Sequence, residues 1–268
     1  MIAYITWDVS KTIFTLGSFQ LRWYGLLFGL GFVVAYLVLK KIFTKEGTKI
    51  ELLDALTMYI ALATIIGARL GHILFYEPSY YFNNPLEILK VWRGGLASHG
   101  AAIAIITAMV IFARKFKLNI WWLADRLAIA IPLVAMFVRL GNLMNSEIFG
   151  HPTTVAWAFI YKNIDNVPRH PSQLYEAISY FIIFLGCLIV FKYKSKFGNG
   201  FVAGFMLTTL FTARFIIEFF KDVQVDFENK LTIDMGQILS VPLILLGIAF
   251  MVFAVYKKKT ENQDYLSK

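Results

Sequence analysis

The chain has 268 residues, of which 58% are hydrophobic and only 16% charged, whereas a soluble domain carries about 25% charged residues. This composition excludes an ordinary soluble domain, and the net charge of +9 does not indicate nucleic-acid binding, because the lysines lie in short clusters between apolar runs. The single cysteine, Cys187, excludes an internal disulfide and a multi-cysteine metal site.

Apolar runs long enough to cross a bilayer recur along the whole chain. A transmembrane helix needs roughly 20 mostly apolar residues. Seven segments qualify, approximately 21–41, 52–76, 95–113, 125–146, 172–191, 200–220 and 235–256. Asp8 and Lys11 interrupt the residues before the first span, so we expect that span to act as an uncleaved anchor. The predicted fold class is an all-α integral membrane protein with seven transmembrane helices.

Basic residues are distributed unequally between the two sets of connections. One set, with the C-terminal tail, holds fourteen: Lys40, Lys41, Lys45, Lys49, Arg114, Lys115, Lys117, Lys192, Lys194, Lys196, Lys257, Lys258, Lys259 and Lys268. The opposite set holds eight: Lys11, Arg22, Lys90, Arg93, Lys162, Arg169, Lys221 and Lys230. By the positive-inside rule, the N-terminus is expected outside and the C-terminus in the cytoplasm.

The sequence shows no long linker, low-complexity tract or repeat, so we predict a single membrane domain over residues 1–268. The longest external connections are 77–94 and 147–171. Their Pro, Asn, Tyr and Trp content favours short interfacial helices. Segment 147–171 is expected to form a small periplasmic cap.

Several polar residues lie inside otherwise apolar spans, where an ionisable group costs about 2.5–3.5 kcal/mol and is a functional candidate. Arg139 and Arg214 each lie thirteen positions, roughly 20 Å, beyond the predicted cytoplasmic start of their spans. Arg69 lies roughly 25 Å along its span, and Tyr24 and His99 lie about one turn below the outer surface. All five are therefore expected in the outer half of the bilayer.

The spacing in the fourth span groups further polar residues with Arg139. Arg139, Asn142 and Ser146 follow each other in steps of three and four, which predicts a shared helix face with Glu147 close by. Arginine donates paired hydrogen bonds that match the geometry of a phosphate group. Two arginines at one depth, with carboxylates to orient them, therefore favour an anion site.

Simpler interpretations of these residues remain open. Arg214 and Glu218 are four residues apart, which suits an intrahelical ion pair, and such a pair is also compatible with a purely structural role. Arg69, which aligns with His72, is compatible with snorkelling to lipid headgroups. His99 alone could be a core histidine, but the small residues around it favour open space beside the imidazole.

Motifs of common hydrolases and nucleotide-binding proteins are absent. The sequence contains no H-E-x-x-H, G-x-S-x-G or Walker pattern, and its four histidines are scattered. Zinc, nucleotide and serine-nucleophile mechanisms are therefore not expected, and no metal site is predicted.

An ordered set of motifs resembles the prolipoprotein diacylglyceryl transferase family. The longest covers residues 138–150, VRLGNLMNSEIFG. The others are RWYGL at 22–26, GARLG at 67–71, GGLASHGA at 94–101, RHPSQLYE at 169–176, RFIIEF at 214–219 and GQILS at 236–240. Together they run from the first span to the last.

The resemblance implies a bacterial inner-membrane enzyme that catalyses the first step of lipoprotein maturation. Such an enzyme moves the diacylglyceryl group of phosphatidylglycerol to the lipobox cysteine thiol of a prolipoprotein signal peptide. A thioether forms and glycerol 1-phosphate leaves, at a site toward the periplasmic leaflet. The expected partners are phosphatidylglycerol, prolipoprotein signal peptides and membrane lipids, with no nucleic acid and no metal or soluble cofactor.

The resemblance and the chemistry together suggest roles for the polar residues. The leaving phosphate accumulates negative charge, which Arg139 and Arg214 are expected to bind and stabilise. His99 is the candidate general base for the substrate thiol, because imidazole titrates near working pH. The other substrate-binding candidates, which would position the headgroup or orient an arginine, are Tyr24, Asn142, Glu147, Glu218, Arg69 and Gly150.

One position departs from the family pattern. The family commonly has a tyrosine one helical turn before the arginine of the sixth span, where this sequence has Leu210. If that tyrosine helps to activate the thiol in relatives, this protein must do so by other means.

Two other classes of function compete with an enzyme. A transporter of small anions or lipids also uses intramembrane arginines, but it usually places polar groups in both halves of the membrane. The inner half of these spans is nearly free of them. A non-catalytic lipid-binding or scaffold protein would use the same arginines to hold a headgroup without turnover.

Overall fold

The computed structural model describes residues 4–17, 19–91, 94–222 and 234–266. Its α-helices are, in chain order, α1 (Trp23–Lys45), α2 (Ile50–Phe75), α3 (Pro78–Asn83), α4 (Ser98–Lys115), α5 (Ile120–Met144), α6 (Ser172–Lys192), α7 (Lys194–Phe197), α8 (Phe201–Glu218) and α9 (Met235–Leu266). All except the short α3 and α7 are long and apolar enough to cross a membrane. The prediction of seven spans is therefore confirmed, whereas the orientation of the termini stays a prediction.

The ends of two spans differ most from the prediction. α5 begins at Ile120 rather than 125, and α9 continues to Leu266 rather than 256. α5 gains the apolar residues 120–124, whereas α9 continues into the mostly polar residues 257–266, because helical hydrogen bonding does not stop where the apolar window ends. The sequence therefore located the spans better than their ends.

The external connections combine short helices with small sheets. Connection 77–94 contains α3 and a 3-10 turn at Pro85–Leu89, as predicted. Segment 147–171 instead contributes β4 (Phe159–Tyr161) and β5 (Pro168–Arg169), so the expectation of interfacial helices there was wrong. β4 pairs in parallel with β1 (Ile5–Trp7) and antiparallel with β5, while β2 (Thr12–Leu16) and β3 (Phe19–Arg22) form a hairpin. We call the sheet β1-β4-β5, with segment 147–171, the cap.

The chain divides into two compact units, Leu39–Ala124 and Met1–Val38 together with Asp125–Lys268, and each is described by itself. The prediction of a single domain stays a prediction. In the smaller unit α2 packs on α4 so closely that a Cβ added to Gly71 would lie 2.7 Å from the Cα of Gly100. Small residues allow such close approach of helices in lipid. Gly100 and Ala97, two of the small residues beside His99, lie in this helix contact.

In the larger unit, a buried carboxylate fixes the start of α8. Oδ2 of Asp125 accepts a hydrogen bond from the Gly200 N–H at 2.8 Å, and Oδ1 accepts one from the Ala203 N–H at 3.0 Å. These N–H groups have no partner within their own helix, so a capping acceptor stabilises the first turn. α8 then packs on α9, where a Cβ added to Gly204 would lie 2.6 Å from the Gly247 carbonyl oxygen.

Candidate active site

Arg139 of α5 and Glu176 of α6 form a buried ion pair. Nε of Arg139 lies 3.0 Å from Oε2 of Glu176, and the Glu176 side chain is fully buried. Nη1 of Arg139 also donates to Oδ1 of Asn142 at 3.3 Å. The guanidinium is thus held from its own helix and from α6.

Glu147 continues this hydrogen-bonded chain beyond the end of α5. Its Oε1 accepts hydrogen bonds from the amide groups of Asn142 at 2.8 Å and Asn145 at 3.2 Å. The structure therefore brings together Arg139, Asn142 and Glu147, which the sequence grouped by their spacing.

Ser146, in contrast, does not share their helix face, because α5 ends at Met144. The Ser146 N–H donates to the carbonyl of Leu143, and the Glu147 N–H donates to that of Asn142. These are the two bonds of a Schellman ending, in which Ser146, with φ of 53°, occupies the left-handed position that usually holds glycine. Ile148 has φ of 58°, so two residues in an unfavourable conformation flank Glu147.

Lys221 joins Glu176 to Glu218. Its Nζ lies 3.1 Å from Oε1 of Glu176 and 3.0 Å from Oε2 of Glu218, and only 4% of its side chain is exposed. The predicted ion pair of Glu218 with Arg214 was wrong: among the described residues the carboxylate pairs with Lys221. The physical reason is that α8 ends at Glu218, and the turn after it returns the lysine to the carboxylate.

The Glu218 carboxylate also lies against the first turn of α9. A Cβ added to Gly236 would lie 2.6 Å from Oε2 of Glu218, so only glycine leaves room for the carboxylate. The N-terminal turn of a helix carries unpaired N–H groups and a partial positive charge, which stabilise a nearby anion. Glu218 is therefore fixed by a lysine and by a helix terminus.

Tyr180 of α6 lies beside both arginines that were predicted to bind phosphate. Its buried hydroxyl donates to Oε1 of Glu176 at 3.2 Å. Arg139 and Arg214 are both close enough to Tyr180 to interact with it electrostatically. Arg214 is partly exposed and forms no ion pair within the part of the chain that the structure describes.

Tyr24, in the first turn of α1, packs on α5. A Cβ added to Gly141 would lie 2.8 Å from Cδ2 of Tyr24. The tyrosine is also close enough to Arg139 and Glu147 to interact with their charges. The larger unit therefore places Tyr24 with the residues at the end of α5, as the sequence suggested.

The first turn of α6 holds the main chain around Glu147. Nε2 of Gln173 donates to the Glu147 carbonyl at 2.7 Å, and Oγ of Ser172 donates to the Ile148 carbonyl at 2.7 Å. The Tyr161 hydroxyl donates to Oε1 of Gln173 at 2.9 Å, and burial raises the pKa of Tyr161. These bonds help to hold the unfavourable backbone on either side of Glu147.

Gly150 lies at a close contact within the cap. Its N–H donates to the His170 carbonyl at 2.8 Å, and an added Cβ would lie 2.6 Å from the Cβ of His170. Nearby, Arg169 pairs with Asp165 at 2.7 Å and Asp222 at 2.6 Å. The hydrogen bond from Arg169 lowers the pKa of Asp165. This packing explains why position 150 holds glycine. The predicted role of Gly150 in substrate binding stays a prediction.

In the smaller unit, Arg69 is buried and holds the connection 77–94. Its guanidinium lies over the Tyr81 ring, 4.7 Å from the ring centroid. It donates to four main-chain carbonyls, those of Glu87, Ile88, Gly94 and Gly95. Because four of its five donors are used in this way, the geometry disfavours both snorkelling and the predicted substrate-binding role.

His99 lies in the first turn of α4 and is exposed. Its ring centroid lies 5.0 Å from that of Phe75 and 5.8 Å from that of Tyr76. His99 and Arg69 belong to the smaller unit, whereas Arg139 and Arg214 belong to the larger one. The predicted convergence of all these residues therefore stays a prediction.

Three side chains of the site were missed as candidates: Glu176, Tyr180 and Lys221. Glu176 ends the motif RHPSQLYE, and Tyr180 follows it by four residues, so both lie on one face of α6. A carboxylate and a phenol aligned in this way inside a span were a detectable signal. Lys221 follows Glu218 by three residues, but the end of α8 between them could not be read from the sequence.

Comparison with known proteins now identifies the family. A family model described as prolipoprotein diacylglyceryl transferase matches residues 11–253. The chain belongs to this family. Its motifs at the ends of α5 and α8 and at the start of α9 all lie within the matched region.

Relatives from distant bacteria match over nearly their whole length, and each is named phosphatidylglycerol–prolipoprotein diacylglyceryl transferase. The protein from Tolumonas auensis is 46% identical over 94% of this chain and 98% of its own. That from Chloroherpeton thalassium is 44% identical over 97% of this chain and 98% of its own. That from Bacteroides fragilis is 43% identical over 96% of this chain and 98% of its own. With its membrane-spanning helices, the chain is a multi-pass membrane protein of the transferase family.

Proposed function

We propose that this protein transfers the diacylglyceryl group of phosphatidylglycerol to the lipobox cysteine thiol of a prolipoprotein signal peptide. The reaction forms a thioether and releases glycerol 1-phosphate, as the first step of lipoprotein maturation. The relatives named above support the reaction. The observation that carries the proposal is that Arg139 and Arg214 both lie beside Tyr180. Arg139 is anchored by Glu176, whereas Arg214 forms no ion pair among the described residues.

The chemistry requires a site that stabilises a leaving phosphate. The sulfur of the substrate cysteine attacks the glycerol carbon that carries the phosphate ester, so a C–S bond forms while the C–O bond breaks. The electron pair of that bond stays on the phosphate, and the thiol proton passes to a base. The nucleophile belongs to the substrate, which agrees with a chain whose single cysteine, Cys187, is buried.

The two arginines have different parts in this scheme. Arg139 is oriented before the substrate binds, because Glu176 and Asn142 hold its guanidinium. Arg214 supplies the charge that is not neutralised by a carboxylate in the described structure. Oriented donors in a site that excludes water stabilise developing charge by about 3–4 kcal/mol each. The phosphate would therefore lie against Arg214 and the free edge of Arg139.

The remaining roles follow from position. Tyr24, Asn142 and Glu147 would position the glycerol headgroup, since they surround the Arg139 end of the site. His99 would take the thiol proton, which requires the exposed first turn of α4 to face the bound peptide. The site would open toward the periplasmic leaflet of the inner membrane, where the charge distribution of the connections puts the ends of α5 and α8.

The proposal is tested with purified protein in phosphatidylglycerol vesicles and a lipobox peptide. Arg214→Gln removes the charge and keeps a polar amide, so thioether formation should fall about 100-fold or more. The control Cys187→Ser should keep the activity of the parent. A parent that binds phosphatidylglycerol without forming product would support the scaffold, and phosphatidylglycerol movement across the bilayer without product would support the transporter.

A further inference from the structure

The carboxylate of Glu176 serves three partners at once. Arg139 approaches Oε2 at 3.0 Å, whereas Nζ of Lys221 and the Tyr180 hydroxyl approach Oε1 at 3.1 and 3.2 Å. A carboxylate bound through both oxygens cannot rotate without losing a partner. The two groups at Oε1 therefore also fix the oxygen that holds Arg139.

The formal charges of this network sum to zero. Arg139 and Lys221 are two cations, and Glu176 and Glu218 are two carboxylates. Because Lys221 shares the charge of Glu176, that carboxylate does not neutralise the arginine alone. Glu218 in turn keeps the buried lysine paired, which avoids the large cost of an isolated buried charge.

Tyr180 is the member of this network that lies beside Arg214. Its hydroxyl donates to Oε1 of Glu176 and lies beside the Arg139 guanidinium, so it helps to hold the carboxylate that orients the arginine. Leu210 lies four residues before Arg214 on α8 and offers no hydroxyl on that face. The phenol beside both arginines is therefore supplied by α6.

We infer that Tyr180 and Lys221 are positioning residues for the Arg139 guanidinium, and that both act through the carboxylate of Glu176. The inference rests on the proposed transferase function and adds two residues to it. Neither residue is required to touch the substrate. Their loss should lower the rate of the chemical step more than the affinity for phosphatidylglycerol.

The test compares five variants of the full-length protein in phosphatidylglycerol vesicles with a lipobox peptide. Tyr180→Phe and Lys221→Met should each lower kcat about 10- to 100-fold, because a misplaced catalytic group costs about that much. KM for phosphatidylglycerol should change by less than about threefold, as expected when an interaction is lost only in the transition state. Lys221→Arg should restore most of the rate, since it keeps the charge and the donors.

The control is Tyr193→Phe at the far end of the same helix. The Tyr193 ring is exposed and contacts Lys192 and Lys196, contacts that phenylalanine keeps. This variant should match the parent. Unfolding temperatures are measured for every variant, and the kinetics are taken well below the lowest of them, so that a loss of folded protein is not read as a loss of rate.

The double variant Tyr180→Phe with Lys221→Met tests whether both residues act through Glu176. If both residues act through Glu176, the double variant should lose much less than the product of the two single losses. Single losses that multiply would overturn the inference, and so would a Tyr180→Phe variant within about twofold of the parent kcat. Tyr180→Phe decides the question if Lys221→Met does not fold. A parent without thioether product would reject the transferase function itself, which is a separate result.

Discussion

Asp125→Ala should destabilise the protein without changing the chemistry of each folded molecule. The carboxylate accepts hydrogen bonds from the N–H groups of Gly200 and Ala203 at the start of α8, at 2.8 and 3.0 Å. Alanine would leave both donors without this acceptor in a fully buried place. A buried donor left unpaired costs about 1–3 kcal/mol, so the two together should cost about 2–6 kcal/mol.

The assay is thermal unfolding of the purified protein in detergent. A loss of this size should lower the unfolding temperature by about 5–15 °C for a chain of this length. Asp125→Asn keeps one acceptor and should lie between the parent and Asp125→Ala. The control is Asp8→Ala, because Asp8 is exposed and lies 3.8 Å from an exposed Lys162. Such surface pairs contribute little to stability.

The same variants separate stability from catalysis. Arg214 lies thirteen residues beyond Phe201 in α8, roughly 20 Å from the Asp125 contact. The kcat of folded Asp125→Ala should therefore stay within about twofold of the parent. Two results would refute the reasoning: an unfolding temperature equal to that of Asp8→Ala, or a large loss of kcat in protein that is still folded.

Three further predictions follow from contacts in the two units. Gly236→Ala should lower both kcat and stability, because the new Cβ displaces the Glu218 carboxylate at a cost of about 1–3 kcal/mol. Thermal unfolding and product formation measure the two effects. A variant equal to the parent in both would contradict the close contact. Arg69→Lys should speed hydrogen exchange in connection 77–94, because lysine has too few donors to bind four carbonyls. Unchanged exchange would contradict the anchoring role of Arg69. The pKa of Asp165 is lowered in the folded protein by Arg169, so its contribution to stability is complete above the pKa of an unfolded carboxyl group and is lost as pH falls. Asp165→Asn should remove this part of the pH dependence of unfolding, and a variant with the same pH dependence would reject it.

The spans could be predicted from the sequence because the bilayer imposes a length and a composition on each of them. The cap could not, because β4 pairs with β1, from which it is separated by most of the chain. A strand of three residues such as Phe159–Tyr161 leaves too short a pattern to recognise. The pairing with Ile5–Trp7 is a long-range contact that one sequence does not reveal.

The site was partly predictable for a related reason. Arg139, Asn142 and Glu147 lie within nine residues, so helical spacing alone brought them together. The partners of Arg139 on α6 were missed because spacing within one helix does not say which helix is its neighbour. The expected pair of Arg214 with Glu218 was wrong for a local reason, since the end of α8 places Lys221 closer to the carboxylate.

The most direct test of the proposed function is the mass of the peptide product together with the amount of glycerol phosphate released. Purified parent protein is incubated with phosphatidylglycerol of defined acyl chains and a lipobox peptide, with a cysteine-to-serine peptide as the control. The account predicts one diacylglyceryl group added to the cysteine for each glycerol phosphate released, and no product from the serine peptide. Folded protein that binds phosphatidylglycerol but gives neither the mass increase nor glycerol phosphate would contradict it.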